Sequence, residues 1–296
     1  MNYYNEIKQK LVDNEIYEKV KDYSKERNRV ITYFEVGRLL SEAGKHYGED
    51  IIGKYSEMLQ VEVGKKYDKS TMFKIKKFFL VFSNEKVAPL VPQLNWSHCL
   101  LLIPLKDINK INYYINQISI KNLSKRQLRD AIKNKEYDRL DDNTKLKLIN
   151  HEEPKVEDLI KNPIIIKNNS NYEIVSEKVL QKLILEDIES FMKELGNSFC
   201  FIGSEYKIKL GDTYNYIDVL LFNIEFDCYV VVELKITELK KEHIGQIEVY
   251  MNYIDKHLKK ISHDKTIGLI ICKKYNEYII EYSSDKRIIA KEYELV

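Results

Sequence analysis

The sequence predicts two unlike halves, an all-helical N-terminal one with a helix-turn-helix-like part and an α/β C-terminal one with a central sheet. Up to about residue 150 the apolar residues recur at helical spacing, with none of the continuous β-branched runs that mark strands. Beyond residue 172 such runs appear, in YIDVLLF, CYVVVELK and TIGLIIC, and helical stretches separate them. A chain of 296 residues with 44% hydrophobic residues has the length for two cores. The predicted boundaries are a helical domain at 1–150, a linker at 151–172 and an α/β domain at 173–296.

Charge divides the same way. The net charge is only +2, yet residues 1–150 hold 28 basic and 20 acidic side chains, against 20 and 26 in the remainder. A basic half beside an acidic one suits a protein that grips a polyanion with one part and acts on it with the other. The plainer reading, solvated lysine and glutamate faces, holds for most individual charges. No apolar run approaches the roughly 18 residues of a membrane span, and MNYYNEIKQK lacks a signal-peptide pattern, which predicts a soluble cytoplasmic protein. Cys99, Cys200, Cys228 and Cys272 stand singly in apolar surroundings, which predicts buried reduced thiols.

In the first half, Ile7, Leu11, Ile16 and Val20 mark one or two amphipathic helices, and RVITYFEVGRLL a stronger one ending near Gly44. SEMLQVEV, the turn GKKYDK and a helix STMFKIKKFFLVF capped by Ser70 give the helix-turn-helix-like pattern. Lys65, Lys66, Lys69, Lys74, Lys76 and Lys77 gather there, interleaved with Tyr67 and Phe73. Phosphate contact and a solvated lysine face are equal readings of that cluster. LNWSHCLLLI and Asp107 to Ser119 are helical, and Ser124 caps a helix whose Lys125, Arg126, Arg129 and Lys133 form a second basic patch.

From Asp141 to Tyr172 the periodicity weakens around Pro154, Pro163 and KNNSNY, hence the linker. Ser176 opens a helix to Leu195 with the stripe Leu180, Ile184, Ile188, Phe191 and Leu195; Gln181 lies at its edge and Glu186 points away. Phe199–Ile202 and Lys207–Leu210 read as a first strand. After the following hairpin, Thr237 caps a helix to about Lys260, on which Gln246 and Tyr250 are neighbours. Gly245 in that helix predicts close approach of another group. TIGLIIC is a buried strand and Glu277 to Tyr282 an edge strand.

The hairpin from Asn215 to Lys235 carries the chemistry. Asp218, Glu233 and Lys235 are ionisable groups inside apolar strands, where a charge needs a partner or a metal. Pairing about the Asn223–Asp227 turn puts Asp218 opposite Glu233, and Lys235, two residues on, leaves the same face. Two facing carboxylates repel unless a cation lies between them. An all-oxygen ligand set suits Mg²⁺ or Mn²⁺ better than zinc.

An acid in one strand and Glu-x-Lys in the next, framed by helices and strands, resembles the PD-(D/E)XK nuclease superfamily with its restriction-endonuclease-like fold and mixed central sheet. FCFIGSEYKI, YIDVLLF, VVVELK, GQIEVYMNYID and IGLIICKKYNEYIIEY resemble successive blocks of the bacterial YhcG-like family within it. TYFEVGRLL, KSTMFKIKKFFLVF, LNWSHCLLLI and LSKRQLRDAI resemble that family's helical N-terminal domain, so the likeness runs over nearly the whole chain. The resemblance implies a nuclease in bacterial DNA processing or defence, with a divalent ion held by Asp218, Glu233 and the Leu234 carbonyl. It gives Lys235 a role in placing or activating water, and it makes Gln246 and Tyr250 the Gln-x-x-x-Tyr pair of the following helix. The basic residues Lys65, Lys66, Lys69, Lys74, Lys77, Arg126 and Arg129 would hold nucleic acid. Three positions depart from the pattern: Gln181 stands where the first helix usually has an acid, Ser204-Glu205 replaces Arg-Gln, and Leu123 replaces Trp. The rival readings are a non-catalytic nucleic-acid-binding or regulatory module of a larger complex, and a protein-interaction scaffold. A homodimer stays open, since many nucleases cut two strands as dimers.

Overall fold

The structure is a computed structural model that describes residues 3–296 apart from 20–23, 86, 151, 154, 174 and 197; Val20 and Pro154 therefore lie outside the described residues. The chain divides into two compact units, Met1–Tyr137 and Asp138–Val296.

The first unit is helical. Its elements are α1 (Tyr3–Lys19), α2 (Lys25–Tyr47), α3 (Asp50–Glu62), α4 (Lys69–Phe82), α5 (Trp96–Leu102), α6 (Ile108–Lys121) and α7 (Lys125–Lys133), with a 3-10 turn at Ala88–Gln93. Ile7, Leu11, Val36, Leu40, Ile52, Leu59, Ile75 and Phe78 are fully buried, whereas Ile16, predicted on the stripe of α1, is 59% exposed. Helices α2 and α4 touch at Gly37, where a Cβ would fall 2.5 Å from the Ile75 carbonyl oxygen. The cap of α4 is Asp68 rather than Ser70: Asp68 has extended backbone and accepts from the Thr71 N–H, while Ser70 lies within the helix. Ser124 caps α7 as expected, reciprocally with Gln127.

The second unit is an α/β domain on a six-stranded mixed sheet. Its elements are α8 (Asp142–Asn150), α9 (Val156–Leu159), β1 (Ile164–Ile166), α10 (Glu177–Glu186), α11 (Ile188–Leu195), β2 (Phe199–Leu210), β3 (Thr213–Asn223), β4 (Cys228–Glu238), α12 (Lys241–His257), β5 (Ile267–Lys274), α13 (Glu277–Glu281) and β6 (Ile288–Leu295). The strand order is β1-β6-β5-β4-β3-β2. β2, β3 and β4 pair antiparallel, and β4, β5, β6 and β1 pair parallel. One face buries Leu180, Ile184, Val219, Val232 and Leu269 beneath α10 and α11; the other buries Leu220, Val231, Ile247, Met251 and Ile270 beneath α12.

Several expectations are corrected. The stretch read as a linker holds α9 and the edge strand β1, because Ile164–Ile166 finds a parallel partner 129 residues later in β6. The helix predicted from Ser176 to Leu195 is two, broken at Asp187, whose side chain caps α11 through the Ser190 N–H. The predicted edge strand from Glu277 to Tyr282 is instead the helix Glu277–Glu281 with Tyr282 as its C-cap, and the strand beside β5 is the unpredicted β6. Thr237 lies within β4, and α12 starts after Lys240, whose N–H donates to His243 Nδ1. Gly245 meets open space. Cys200 is exposed, on the sheet-edge strand β2, while the other three cysteines are buried.

The close approach on α12 falls instead at Gly268 of β5, where a Cβ would lie 2.6 Å from Met251 Sδ and 2.9 Å from Ile247 Cδ1. Gly268→Ala is expected to overpack this helix-sheet contact and cost about 1–3 kcal/mol. Urea unfolding checks this, and an unchanged midpoint would show that Met251 absorbs the methyl group.

Candidate active site

The turn that closes the β3–β4 hairpin is set locally. Asn223, buried, accepts from the N–H groups of Glu225 and Phe226, and Asp227 has a positive φ of 47°. The resulting register pairs Val219 with Val232 and Leu220 with Val231, and its next step brings Asp218 across from Glu233. Asp218 Oδ2 accepts from the Leu234 N–H at 2.8 Å, which ties the acid to the neighbouring strand. Glu233 and Lys235 leave β4 on the face of Val231. Lys235 Nζ lies 2.7 Å from Glu233 Oε1, with the two residues 8% and 2% exposed.

The second carboxylate oxygen, Glu233 Oε2, is buried and has no hydrogen-bond partner. A buried acceptor left unmade costs about 1–3 kcal/mol, more for a charged one. Burial pushes the Glu233 carboxyl up to about 7, with the charge of Asp218 adding to the rise and the Lys235 hydrogen bond opposing it. Burial also raises Asp218, against the Leu234 N–H and the Lys235 charge. For Lys235, burial works toward deprotonation, but the hydrogen bond to Glu233 and the charges of Glu233, Glu177 and Asp218 outweigh it and raise its pKa. The cluster therefore has more negative charge than it can satisfy, which is what a divalent cation corrects.

Whether the residues fit such an ion follows from the donor set. Asp218 and Glu233 supply carboxylate oxygens, one of them unpartnered, and the Leu234 carbonyl is an oxygen donor in the same strand. Among the described residues no group of three or more His, Cys, Asp or Glu side chains is arranged as a metal site. Two carboxylates suit Mg²⁺, which keeps several waters, and suit zinc poorly.

Gln181, predicted at the edge of the first helix, is 8% exposed and donates from Nε2 to the Asp218 carbonyl at 2.9 Å. Gln246 Nε2 donates to the Tyr250 hydroxyl at 3.1 Å on α12, with Tyr250 buried. Asp218, Glu233, Leu234, Lys235 and Gln181 thus come together, and Gln246 and Tyr250 pair with each other.

Two acids, Glu177 and Glu205, were not read from the sequence as site residues. Glu177 Oε2 lies 3.6 Å from Lys235 Nζ; its place four residues before Gln181, on the same helix face, was the available signal. Glu205 sits between the registered pairs Ser204–Val219 and Tyr206–Ile217, hence opposite Asp218, and has a positive φ of 47°. Its charge also raises Asp218.

In the first unit, Lys65, Lys69, Lys74 and Lys77 are exposed around the α3–α4 turn, and Arg126 and Arg129 are exposed on α7. Lys66 is ion-paired with Glu15 and Glu18, Lys76 with Glu49, and Tyr67 is fully buried. The lysines that bind within the unit could not be told from exposed ones by spacing. A cavity of about 820 Å³ lies elsewhere in the second unit, lined by Asp141, Lys147, Asp158, Tyr275 and Lys291 among others, and it contains none of the hairpin's charged residues. No helix among the described residues is long and apolar enough to cross a membrane.

Residues 157–296 match the family described as YhcG PDDEXK nuclease domain, and residues 6–139 match the DUF1016 N-terminal domain. A relative from Escherichia coli (strain K12), described as "Putative nuclease YhcG", is 22% identical over 309 residues, covering 89% of this chain and 82% of its own. Among solved structures, a repair endonuclease from Pyrococcus abyssi and an EndoMS–dsDNA2 complex are each 18% identical with a TM-score of 0.29. Each of those matches covers 43% of this chain and 48% of the solved one, so the chain spans about half of their length.

Proposed function

The chain belongs to the YhcG-like family, carrying both its DUF1016 N-terminal domain and its PDDEXK nuclease domain, and from that premise we propose that it is a metal-dependent nuclease hydrolysing phosphodiester bonds in DNA. The observation that carries this reading is the buried, unpartnered oxygen of Glu233, a residue that the strand register sets across from Asp218 and whose other oxygen holds the Lys235 ammonium. PD-(D/E)XK nucleases generally use divalent metals, and the oxygen donors favour Mg²⁺ or Mn²⁺.

A cation held by Asp218, Glu233 and the Leu234 carbonyl would supply the positive charge that acidifies a water and polarises the phosphate. Asp218 and Glu233 bind, and the strand pairing fixes their separation before any ligand arrives. Lys235, kept protonated by its carboxylate neighbours, has two N–H groups beyond the one given to Glu233. Directed at a non-bridging phosphate oxygen, they offset the charge that builds there as the water oxygen bonds to phosphorus and the bond to the sugar oxygen breaks. The attacking water gives up a proton to solvent and the departing sugar oxygen takes one up from solvent, so the step balances. Gln181 holds the β3 backbone at Asp218, and Gln246 and Tyr250 present an amide and a hydroxyl from α12.

In this reading the helical domain grips the duplex through Lys65, Lys69, Lys74, Lys77, Arg126 and Arg129, a phosphate contact without sequence information. Neutralising Lys74, Lys77, Arg126 and Arg129 together is expected to weaken DNA binding and to flatten its dependence on log salt by about three to four units. Fluorescence anisotropy across a salt series measures both, and unchanged binding would favour the scaffold reading.

The test of the function is a cleavage panel of duplex, single-stranded and branched DNA and RNA with Mg²⁺ or Mn²⁺. Metal-dependent cleavage supports the proposal. Binding without cleavage across the whole panel would favour the non-catalytic module.

A further inference from the structure

Gln181 stands where the resemblance drawn from the sequence implies an acid on the first helix, and its surroundings do not suit one. The Gln181 amide donates to the Asp218 carbonyl oxygen in a nearly closed environment. An ionised carboxylate in its place would set two acceptors against each other with no proton between them. Position 181 is therefore committed to holding β3, and an acid that serves the site must stand elsewhere on α10.

Glu177 meets that requirement. It lies one turn earlier on the same face of α10. Its Oε2 is 3.6 Å from Lys235 Nζ, and its side chain is 46% exposed, so it can shift without unpacking the core. Its charge acts on Asp218, Glu233 and Lys235 together. The unpartnered, almost wholly buried Glu233 oxygen is an independent sign that a ligand belongs among these groups.

We propose that Glu177 is the helix carboxylate of the metal centre, in place of residue 181, accepting from the water shell of the ion and steadying Lys235 between two carboxylates. Mg²⁺ releases its waters reluctantly and is commonly held by one or two carboxylates plus waters, so a half-exposed third acid suits it. The proposal rests on the reading of the hairpin as a divalent-metal site.

Mn²⁺ binding to the full chain, followed by electron paramagnetic resonance, separates the two. Wild type is expected to bind Mn²⁺ and Glu233→Gln to lose it. Glu177→Gln is expected to weaken binding roughly 10- to 100-fold, the range for groups that orient a metal's ligands. Its metal-free melting temperature should equal or exceed that of wild type, because a charge has left a crowded acidic cluster. Glu186→Gln, exposed on the same helix, should bind as wild type does. Wild-type affinity in Glu177→Gln, with loss in Glu233→Gln, overturns the Glu177 assignment and leaves the metal centre standing. A joint fall of affinity and metal-free stability in Glu177→Gln marks a packing role and overturns it too. Absence of Mn²⁺ uptake by wild type overturns both proposals.

Discussion

Lys235→Ala is expected to lower metal-dependent cleavage by roughly two to three orders of magnitude, the usual loss when one preorganised donor to a developing charge is removed. The residue is 8% exposed, its amine is anchored at 2.7 Å on Glu233, and its raised pKa keeps it a donor rather than a base at neutral pH. Glu233→Ala should abolish cleavage outright, since it removes both a ligand and the anchor of Lys235. The pattern across metal concentration is diagnostic. Excess Mg²⁺ should not restore Lys235→Ala, because the missing group acts on phosphate, whereas a variant damaged only in metal affinity recovers partly. Single-turnover rates at two metal concentrations decide this, and undiminished cleavage in both variants would remove the hairpin from the chemistry.

That hairpin was the most legible part of the chain. Its turn residues, its continuous apolar runs and three charges in apolar strands are local signals, and the facing of Asp218 and Glu233 follows from strand pairing alone. The register of Glu205 follows from the same kind of pairing, but it needs the β2–β3 alignment, in which an irregularity between Phe201 and Gly203 shifts the count by one. β1 and β6 were missed because their pairing is parallel and joins residues far apart in sequence, so no turn announces it. β6 also carries Lys291 and Glu292 among its inner residues, which blurs the apolar run; Lys291 is buried because it pairs with Asp141. The 277–282 stretch misled for the opposite reason. Its short apolar run Tyr278–Ile280 between Glu277 and Glu281 fits a strand as well as a single helical turn, and only the side-by-side pairing of β5 and β6 settles which it is. The lysine cluster shows a similar limit: Lys66 and Lys69 look alike in sequence, yet Lys66 is held by acids of α1 some fifty residues earlier.

The acidic pair also implies a measurable conflict between stability and function. The Glu233 carboxyl, ordinarily near 4.5, is held at about 7, mainly by burial. The stability associated with its protonated form is fully present below about pH 4.5 and is lost as pH rises through about 7. The interval corresponds to about 3 kcal/mol. Glu233→Gln keeps the shape and an acceptor for Lys235 but cannot ionise. In metal-free buffer its stability should approach that of wild type at pH 5 and exceed it increasingly toward pH 8, by up to about 3 kcal/mol. Saturating Mn²⁺ should reverse the order at pH 8, because the ion stabilises wild type in proportion to its occupancy and leaves the variant where it was. Denaturant unfolding of both chains at the two pH values, with and without Mn²⁺, gives the four differences required. Parallel pH curves in metal-free buffer would mean that Glu233 is not strained by its burial. A variant stabilised by Mn²⁺ as much as wild type would mean that the ion binds elsewhere. If both effects appear, the sheet carries an unfavourable buried charge that only a bound cation relieves, and the same carboxylate that weakens the metal-free fold makes the ion part of the folded state.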